Sequence, residues 1–241
     1  YEKLLGSNVF TVGSEYTSDN IMDEISAYNY LVDQRVKTIG VFLQSDWNLT
    51  ESINLLSGSR LDKHSLLDNI VISPRISLLY KLQKNTQFRM SYSTGFRAPQ
   101  AFDADLHIAF AGGGISVIEL SDDLKEERSK SFSSSINYDN SSYDYIYGFT
   151  LEGFYTRLDD AFYQDPNGSD DFGNKSIKRN GDGATVQGLT MEFRANYNQK
   201  VQIESGFTVQ NSLYDNAVSY SDELESKREF LRTPNNYGYT T

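Results

Sequence analysis

Val71-Ile72-Ser73-Pro74-Arg75-Ile76-Ser77-Leu78-Leu79-Tyr80-Lys81-Leu82 reads as two interleaved sequences. Ile72, Pro74, Ile76, Leu78, Tyr80 and Leu82 fall on one phase, and Ser73, Arg75, Ser77 and Lys81 on the other. A helix gathers every third or fourth residue, whereas a strand sends alternate residues to opposite faces. The stretch therefore predicts a strand with one apolar face and one polar face.

The same period spreads outward in both directions. In Arg35 to Trp47, residues Ile39, Val41, Leu43 and Trp47 oppose Gly40, Gln44 and Asp46, with Phe42 as the exception. Phe88, Met90 and Tyr92 oppose Arg89, Ser91 and Ser93, and Phe132, Ile136 and Tyr138 oppose Ser131, Ser133, Ser135 and Asn137. Tyr143, Tyr145, Tyr147, Phe149, Leu151 and Tyr155 share a face. Leu189, Met191, Phe193 and Tyr197 oppose Thr190, Glu192, Arg194 and Asn196, and Val201, Ile203, Phe207, Val209 and Leu213 oppose Gln202, Glu204, Thr208 and Gln210. With a first strand near Ser7 to Tyr16 and a last near Phe230 to Tyr239, the alternation predicts about ten strands.

The connections fall into two kinds that alternate along the chain. Asn48 to Glu51, Gln83 to Asn85, Asp139 to Ser142 and Asn198 to Lys200 read as tight turns. Thr17 to Gln34, Lys63 to Ile70, Gly95 to Glu127, Leu158 to Lys178 and Asp215 to Glu229 read as long polar loops. Up-and-down strands with short turns on one rim and long loops on the other are what a transmembrane barrel requires, with apolar side chains outward and polar ones inward. A water-soluble antiparallel sandwich also gives two-faced strands, and a carbohydrate-binding β module of that kind, using exposed aromatics as sugar platforms, is the alternative function.

Composition separates some classes. Hydrophobic residues make up 38% and mean hydropathy is -0.52, yet aromatics reach 13%, with 17 Tyr and 14 Phe against one Trp. Tyr suits places where one end of a ring is dry and the other wet, such as a membrane boundary. The formal charge of -11 excludes the basic footprint that nucleic acid needs. Without cysteine there is no disulfide framework and no thiolate metal site. No apolar run approaches the length of a membrane-spanning helix, and the opening Tyr1-Glu2-Lys3, without an initiator Met, suggests that an upstream part is missing.

Tyr92-Ser93-Thr94-Gly95-Phe96-Arg97-Ala98-Pro99-Gln100 resembles a hallmark of TonB-dependent outer-membrane receptors, a strand that ends in an aromatic, Arg, Ala and Pro on entering an outer loop. Asp123-Leu124-Lys125-Glu126-Glu127-Arg128-Ser129 is similar to the family's Asn-Pro-Asp-Leu-Lys-Pro-Glu-x-Ser, which leads from that loop into the next strand; Ser121-Asp122 replace Asn-Pro, and Glu126 replaces the inner Pro. Ile39 to Trp47, Gly58-Ser59-Arg60-Leu61-Asp62 and Arg232-Thr233-Pro234-Asn235 are weaker echoes in the family's order. The resemblance implies an all-β, antiparallel up-and-down transmembrane β-barrel, of which residues 1–241 are a part. The family's barrels have 22 strands, so the upstream plug and the remaining strands lie outside the chain, and this piece alone is expected not to transport. It also implies a place in the outer membrane of a Gram-negative bacterium, with outer-membrane lipid around the wall. The partner is the TonB complex, engaged through the plug, and the cargo a scarce large solute such as a ferric siderophore, haem, cobalamin or a glycan. Nucleic acid is not a partner.

No catalytic arrangement, cofactor or metal site is expected. His64 and His107 stand in no serine or cysteine arrangement that would justify a hydrolase. Asp165-Pro166-Asn167-Gly168-Ser169-Asp170-Asp171 lacks the ligand spacing and closing Glu of an EF-hand loop and reads as a solvated acidic loop. Gly112-Gly113-Gly114 reads as a loop hinge, Asp103 to Phe110 as a short helix over the barrel mouth, and Lys125 with Glu127 as a wall charge pair. Binding residues concentrate on loops above rigid scaffolds. The candidates for cargo contact are therefore Phe96, Arg97, Phe102, Asp103, Asp105, His107 and Phe110.

Overall fold

A computed structural model describes all residues except 1, 6–7, 27–29, 101–116, 172, 220–225 and 230–234. The described residues form fifteen strands in two sheets. β1 (Glu2–Leu5), β2 (Asn8–Ile25), β3 (Tyr30–Asn48), β4 (Ile53–His64), β5 (Val71–Gln83), β6 (Thr86–Arg97), β8 (Glu127–Ser141), β9 (Tyr145–Asp159), β12 (Gly183–Tyr197) and β13 (Val201–Val218) pair in that order, each antiparallel to the next. The order ends at β13, which is flanked by β14 (Lys227–Glu229) and β15 (Asn236–Thr240). This twelve-stranded sheet is an open wall; its ends do not meet. A second sheet joins β10 (Phe162–Asp170), β11 (Gly173–Asn180) and β7 (Val117–Leu120).

Alternation becomes exposure in the wall. Met191 is 59% exposed and Leu189 equally so, while Thr190, Glu192 and Arg194 between and beside them are half-buried. Long polar side chains would be the more exposed on a flat sheet, so the wall curls toward its polar face and presents Leu, Met, Tyr and Phe on the outside. Along that outside the residues sort by height. Tyr92, Phe132 and Tyr155 are direct neighbours on three strands. Toward the short turns, Tyr138, Phe149 and Phe193 form another row, followed by Tyr145 opposite Tyr197. Between these rows lie Leu151, Leu189 and Met191. From Tyr145 to Tyr155 is about 34 Å of strand at roughly 3.4 Å per residue; tilted by about 35–45°, this covers about 24–28 Å, close to the apolar band of an outer-membrane barrel. Trp47 lies at the same rim on β3, its indole N–H donated to Ser45 Oγ at 2.7 Å and its ring edge-on to Phe10 at 5.3 Å.

The inner face is held by hydroxyls and ions. Ser77 meets Ser91 at 2.8 Å, Ser131 meets Thr156 at 2.9 Å and Thr190 meets Thr208 at 2.9 Å. Arg194 reaches Asp139 at 2.7 Å and Thr150 at 3.0 Å. Phe42, on the polar phase of β3, lies over Gly13, where any Cβ would overlap its ring. Pro74 sits one residue beyond the β5–β6 ladder, which starts at Arg75 opposite Ser93, a place where a residue without an N–H is tolerated. The tight turn at Asn198 is a pair of left-handed residues, Asn198 and Gln199 at φ 51 and 57, closed by Lys200 N–H to Tyr197 O at 2.9 Å.

The long connections depart from the sequence reading. Thr17 to Gln34 is mostly strand: β2 and β3 stay paired up to Ile25 opposite Tyr30, eight pairs beyond the last β3–β4 pair, Thr38 with His64. The apolar residues of this stretch, Ile21, Met22, Ile25, Tyr30, Leu31 and Val32 among them, fall on both phases, so no period of two marks it as strand. Leu158 to Lys178 holds β10 and most of β11 rather than a loop. Within the small sheet, the two long connections are stitched together by parallel pairing of β11 with β7, which comes from the previous long connection. The expected helix at Asp103 to Phe110, the hinge at Gly112 to Gly114 and the start of the last strand, Phe230 to Pro234, lie outside the described residues.

Candidate functional site

On the inner face at the long-loop rim, two clusters meet the ends of the strands. Arg60, Asp62 and His64 stand on one phase of β4, two residues apart. A side chain at Gly40, opposite Asp62, would overlap the Arg60 guanidinium and the Asp62 carboxylate, so the glycine makes room for the pair. Arg60 Nε donates to both Asp62 oxygens at 2.8 and 2.9 Å, and its Nη2 lies 2.9 Å from Glu15 on β2. His64 is buried; Leu66 N–H donates to its Nδ1 at 3.2 Å, which leaves the proton on Nε2. That nitrogen lies 3.3 Å from the side-chain amide of Gln100, which accepts when its oxygen is turned to the ring. With Asp19, Phe96 and Arg97, these groups line a polar hollow of about 370 Å³.

The second cluster surrounds Phe162, the first residue of β10 and 1% exposed. The Arg97 guanidinium carbon lies 5.1 Å from its ring centroid and the Lys178 ammonium 4.5 Å, so two cations meet one ring. Glu127, buried at 5% exposure and directly opposite Arg97 in the ladder, accepts the Phe162 backbone N–H at 2.8 Å. Tyr214 donates its hydroxyl to Phe162 O at 3.0 Å. Beside it Ala161, Ala184, Tyr214 and Val218 form a buried apolar cluster, with Leu158, Tyr163 and Val186 against it. Burial pushes the Tyr163 phenol above its ordinary range.

The segment from Asp123 to Ser129 enters β8 as the resemblance implied. Asn180 of β11 ties it down, accepting Lys125 N–H at 2.8 Å and donating to Lys125 O at 3.2 Å and Asp160 O at 2.7 Å. Burial works most strongly against the charged form of Glu126, but the Arg128 guanidinium at 2.6 Å, a hydrogen bond from its own backbone N–H and the nearby charge of Lys125 together outweigh it and hold the carboxyl below its ordinary range. The expected Lys125–Glu127 wall pair takes a different form. Glu127 turns inward to the Phe162 amide, because a carboxylate buried there requires a donor, while Lys125 is exposed and it is its backbone that is held.

Of the seven sequence candidates, Phe96 and Arg97 border the hollow, and Phe102, Asp103, Asp105, His107 and Phe110 lie outside the described residues. Sequence reading missed Arg60, Asp62, Lys178 and Phe162. The spacing of Arg60, Asp62 and His64 on the polar phase was a usable signal; Phe162 and Lys178 gave none, since their burial depends on a sheet made from two separate loops. Asp165, in the acidic stretch, pairs with Arg179 at 3.4 Å, and among the described residues no group of three or more acidic, His or Cys side chains could hold a metal.

The arrangement is two-faced, with an apolar band outside and a hydroxyl-lined, charged wall inside that leads to a polar mouth. A family model described as "TonB dependent receptor-like, beta-barrel" matches residues 2–240. No curated protein matches the chain. Among solved structures, the siderophore receptor PirA from Pseudomonas aeruginosa aligns with a TM-score of 0.71 at 17% identity, over 88% of this chain and 41% of that one. The FrpB iron transporter from Neisseria meningitidis, F5-1 variant, gives 0.63 at 16% over 93% and 36%, and the copper transporter OprC gives 0.63 at 12% over 88% and 36%. At these identities the likeness carries the fold, and the chain spans well under half the length of the structures it matches.

Proposed function

The chain belongs to the TonB dependent receptor-like β-barrel family, and from that premise we propose that it forms part of the wall of an outer-membrane receptor that imports a scarce, large solute. It is a receptor rather than an enzyme. The observation that supports this reading is the segregation of the wall: an aromatic-edged apolar band about 25 Å tall outside, and paired hydroxyls and ion pairs inside. An open sheet with that inner face leaves unpaired edges that further strands would close. Residues 1–241 are accordingly part of a barrel domain whose other strands and plug belong to a longer protein in the outer membrane of a Gram-negative bacterium. The plug, facing the hydroxyl ladder, would carry the contact with the TonB complex.

For cargo we favour a ferric siderophore, with haem, cobalamin or a glycan as the other members of the class. The similar structures are named for a siderophore, iron and copper, and the mouth of this wall offers both signs of charge beside aromatic groups. Cargo contact is assigned to Phe96, Arg97, Phe102, Asp103, Asp105, His107 and Phe110. In the full-length receptor, deleting 101–116 should weaken cargo binding by about tenfold or more, a loss of roughly 1.4 kcal/mol, while the barrel still reaches the outer membrane. Unchanged affinity in such a variant would place the binding groups elsewhere.

A further inference from the structure

The outward band has a gap. Ser134 and Gly153 stand directly opposite each other on β8 and β9 and both face outward, so the band loses the height of two side chains just below Phe132 and Tyr155. A second gap lies where Gly238 opposes Phe207. The two hollows, of about 620 and 710 Å³, share Leu189 and Val209 and so form one trough across β9, β12 and β13. From Gln187 at its upper end to Phe193 at its lower end is about 20 Å of strand, or about 15 Å of depth after tilt. That is half of a hydrocarbon core of about 30 Å, the thickness of a single leaflet.

Polarity changes along the trough. Below, its lining is mostly Leu, Met, Val and Phe, with Tyr239 and the hydroxyl pair of Ser205 and Thr240 at its lowest rim. At the top, Gln187 and Asn211 pair across β12 and β13 and face outward beside Tyr155. One alternation higher, on the same outward phase, Lys130 lies 2.8 Å from Asp159, and Arg157 binds Asp215 through both terminal nitrogens at 2.5 Å and Asp159 at 3.3 Å. Lys130 is 57% exposed, and an exposed pair of this kind is weak enough for another anion to compete.

We infer that the trough seats one acyl chain of a phosphorylated membrane lipid, with the linkage at Gln187 and Asn211 and the phosphate at Lys130. Three features select this occupant: the trough continues the lipid-facing band, it is one leaflet deep, and a cation stands above its polar end. The inference rests on the outer-membrane reading. Leucine at position 153 would fill the upper hollow without backbone conflict, since a Cβ there meets only Leu189 Cδ2, at 3.4 Å.

The full-length receptor, delipidated in dodecyl maltoside and mixed with diphosphorylated lipid A, should retain a lipid in native mass spectrometry. Gly153→Leu, or Ser134→Leu if the first fails to fold, should lower that retention by about tenfold. Lys130→Gln should lower retention of lipid A and leave that of a phosphate-free diacylglycerol unchanged. Wild-type retention by a Gly153→Leu or Ser134→Leu receptor that still migrates as a heat-modifiable barrel would overturn the proposal, as would equal loss of both lipids in Lys130→Gln. Absence of the wild-type receptor from the outer-membrane fraction would instead overturn the reading on which it rests.

Discussion

The wall and the three-stranded sheet above it are made from the same alphabet and held by different means. In the wall, long ladders of backbone hydrogen bonds do most of the work, and nearly every large apolar side chain is left facing out. The small sheet depends on one buried ring and the charges placed around it. A wall built this way tolerates many inward changes and few outward ones, whereas the small sheet should fail at a single residue.

The sharpest test of that contrast is Phe162→Ala, which removes the ring shared by Arg97 and Lys178. It should cost the small sheet about 3–5 kcal/mol, seen as rapid hydrogen exchange across 162–180 in the full-length receptor while β8 and β9 stay protected. Exchange spreading into the wall would show that the two sheets are one cooperative unit. Next in size, Met191→Arg in the middle of the band should destabilise the lipid-embedded receptor by about 2–4 kcal/mol in urea titration. Its neighbour Glu192→Arg, on the inner phase, should stay within about 0.5 kcal/mol; equal costs would contradict the assignment of faces.

That assignment was legible because a ladder fixes alternation residue by residue: Val71 to Leu82 predicted both faces of β5 and the turn after it. The β2–β3 extension was not legible, since the apolar residues of Thr17 to Gln34 fall on both phases and so leave no alternation to reveal its strands. Nor was the small sheet, because Val117 to Leu120 and Gly173 to Asn180 acquire a shared structure only when two connections some sixty residues apart are brought together. The mouth was half visible: Arg97 stood in a recognisable motif, whereas Lys178 looked like any loop lysine.

Smaller effects refine the comparison. Tyr214→Phe loses only the hydroxyl donated to Phe162 O and should cost about 1 kcal/mol, again confined to exchange in 162–180. Ser131→Ala breaks a hydroxyl pair with Thr156 on the hydrated inner face. It should lower the wall's unfolding free energy in urea titration by no more than about 0.5 kcal/mol, and a larger loss would mean that the inner ladder bears more of the wall's stability than its backbone pairs do.

The parallel pairing of β7 with β11 also sets an order of events in time. Most strands of the wall pair with the strand that follows or precedes them, so hairpins can form locally and with little loop-closure entropy. Among the joints from β1 to β13, two must wait for longer excursions: β6 with β8, across 98–126, and β9 with β12, across 160–182. β7 leaves from the first excursion and β11 returns from the second, so closing both joints in register brings their four paired residues together. The β10–β11 hairpin can form locally, but its pairing with β7 should follow both joints, so that this pairing reports β6, β8, β9 and β12 already in place.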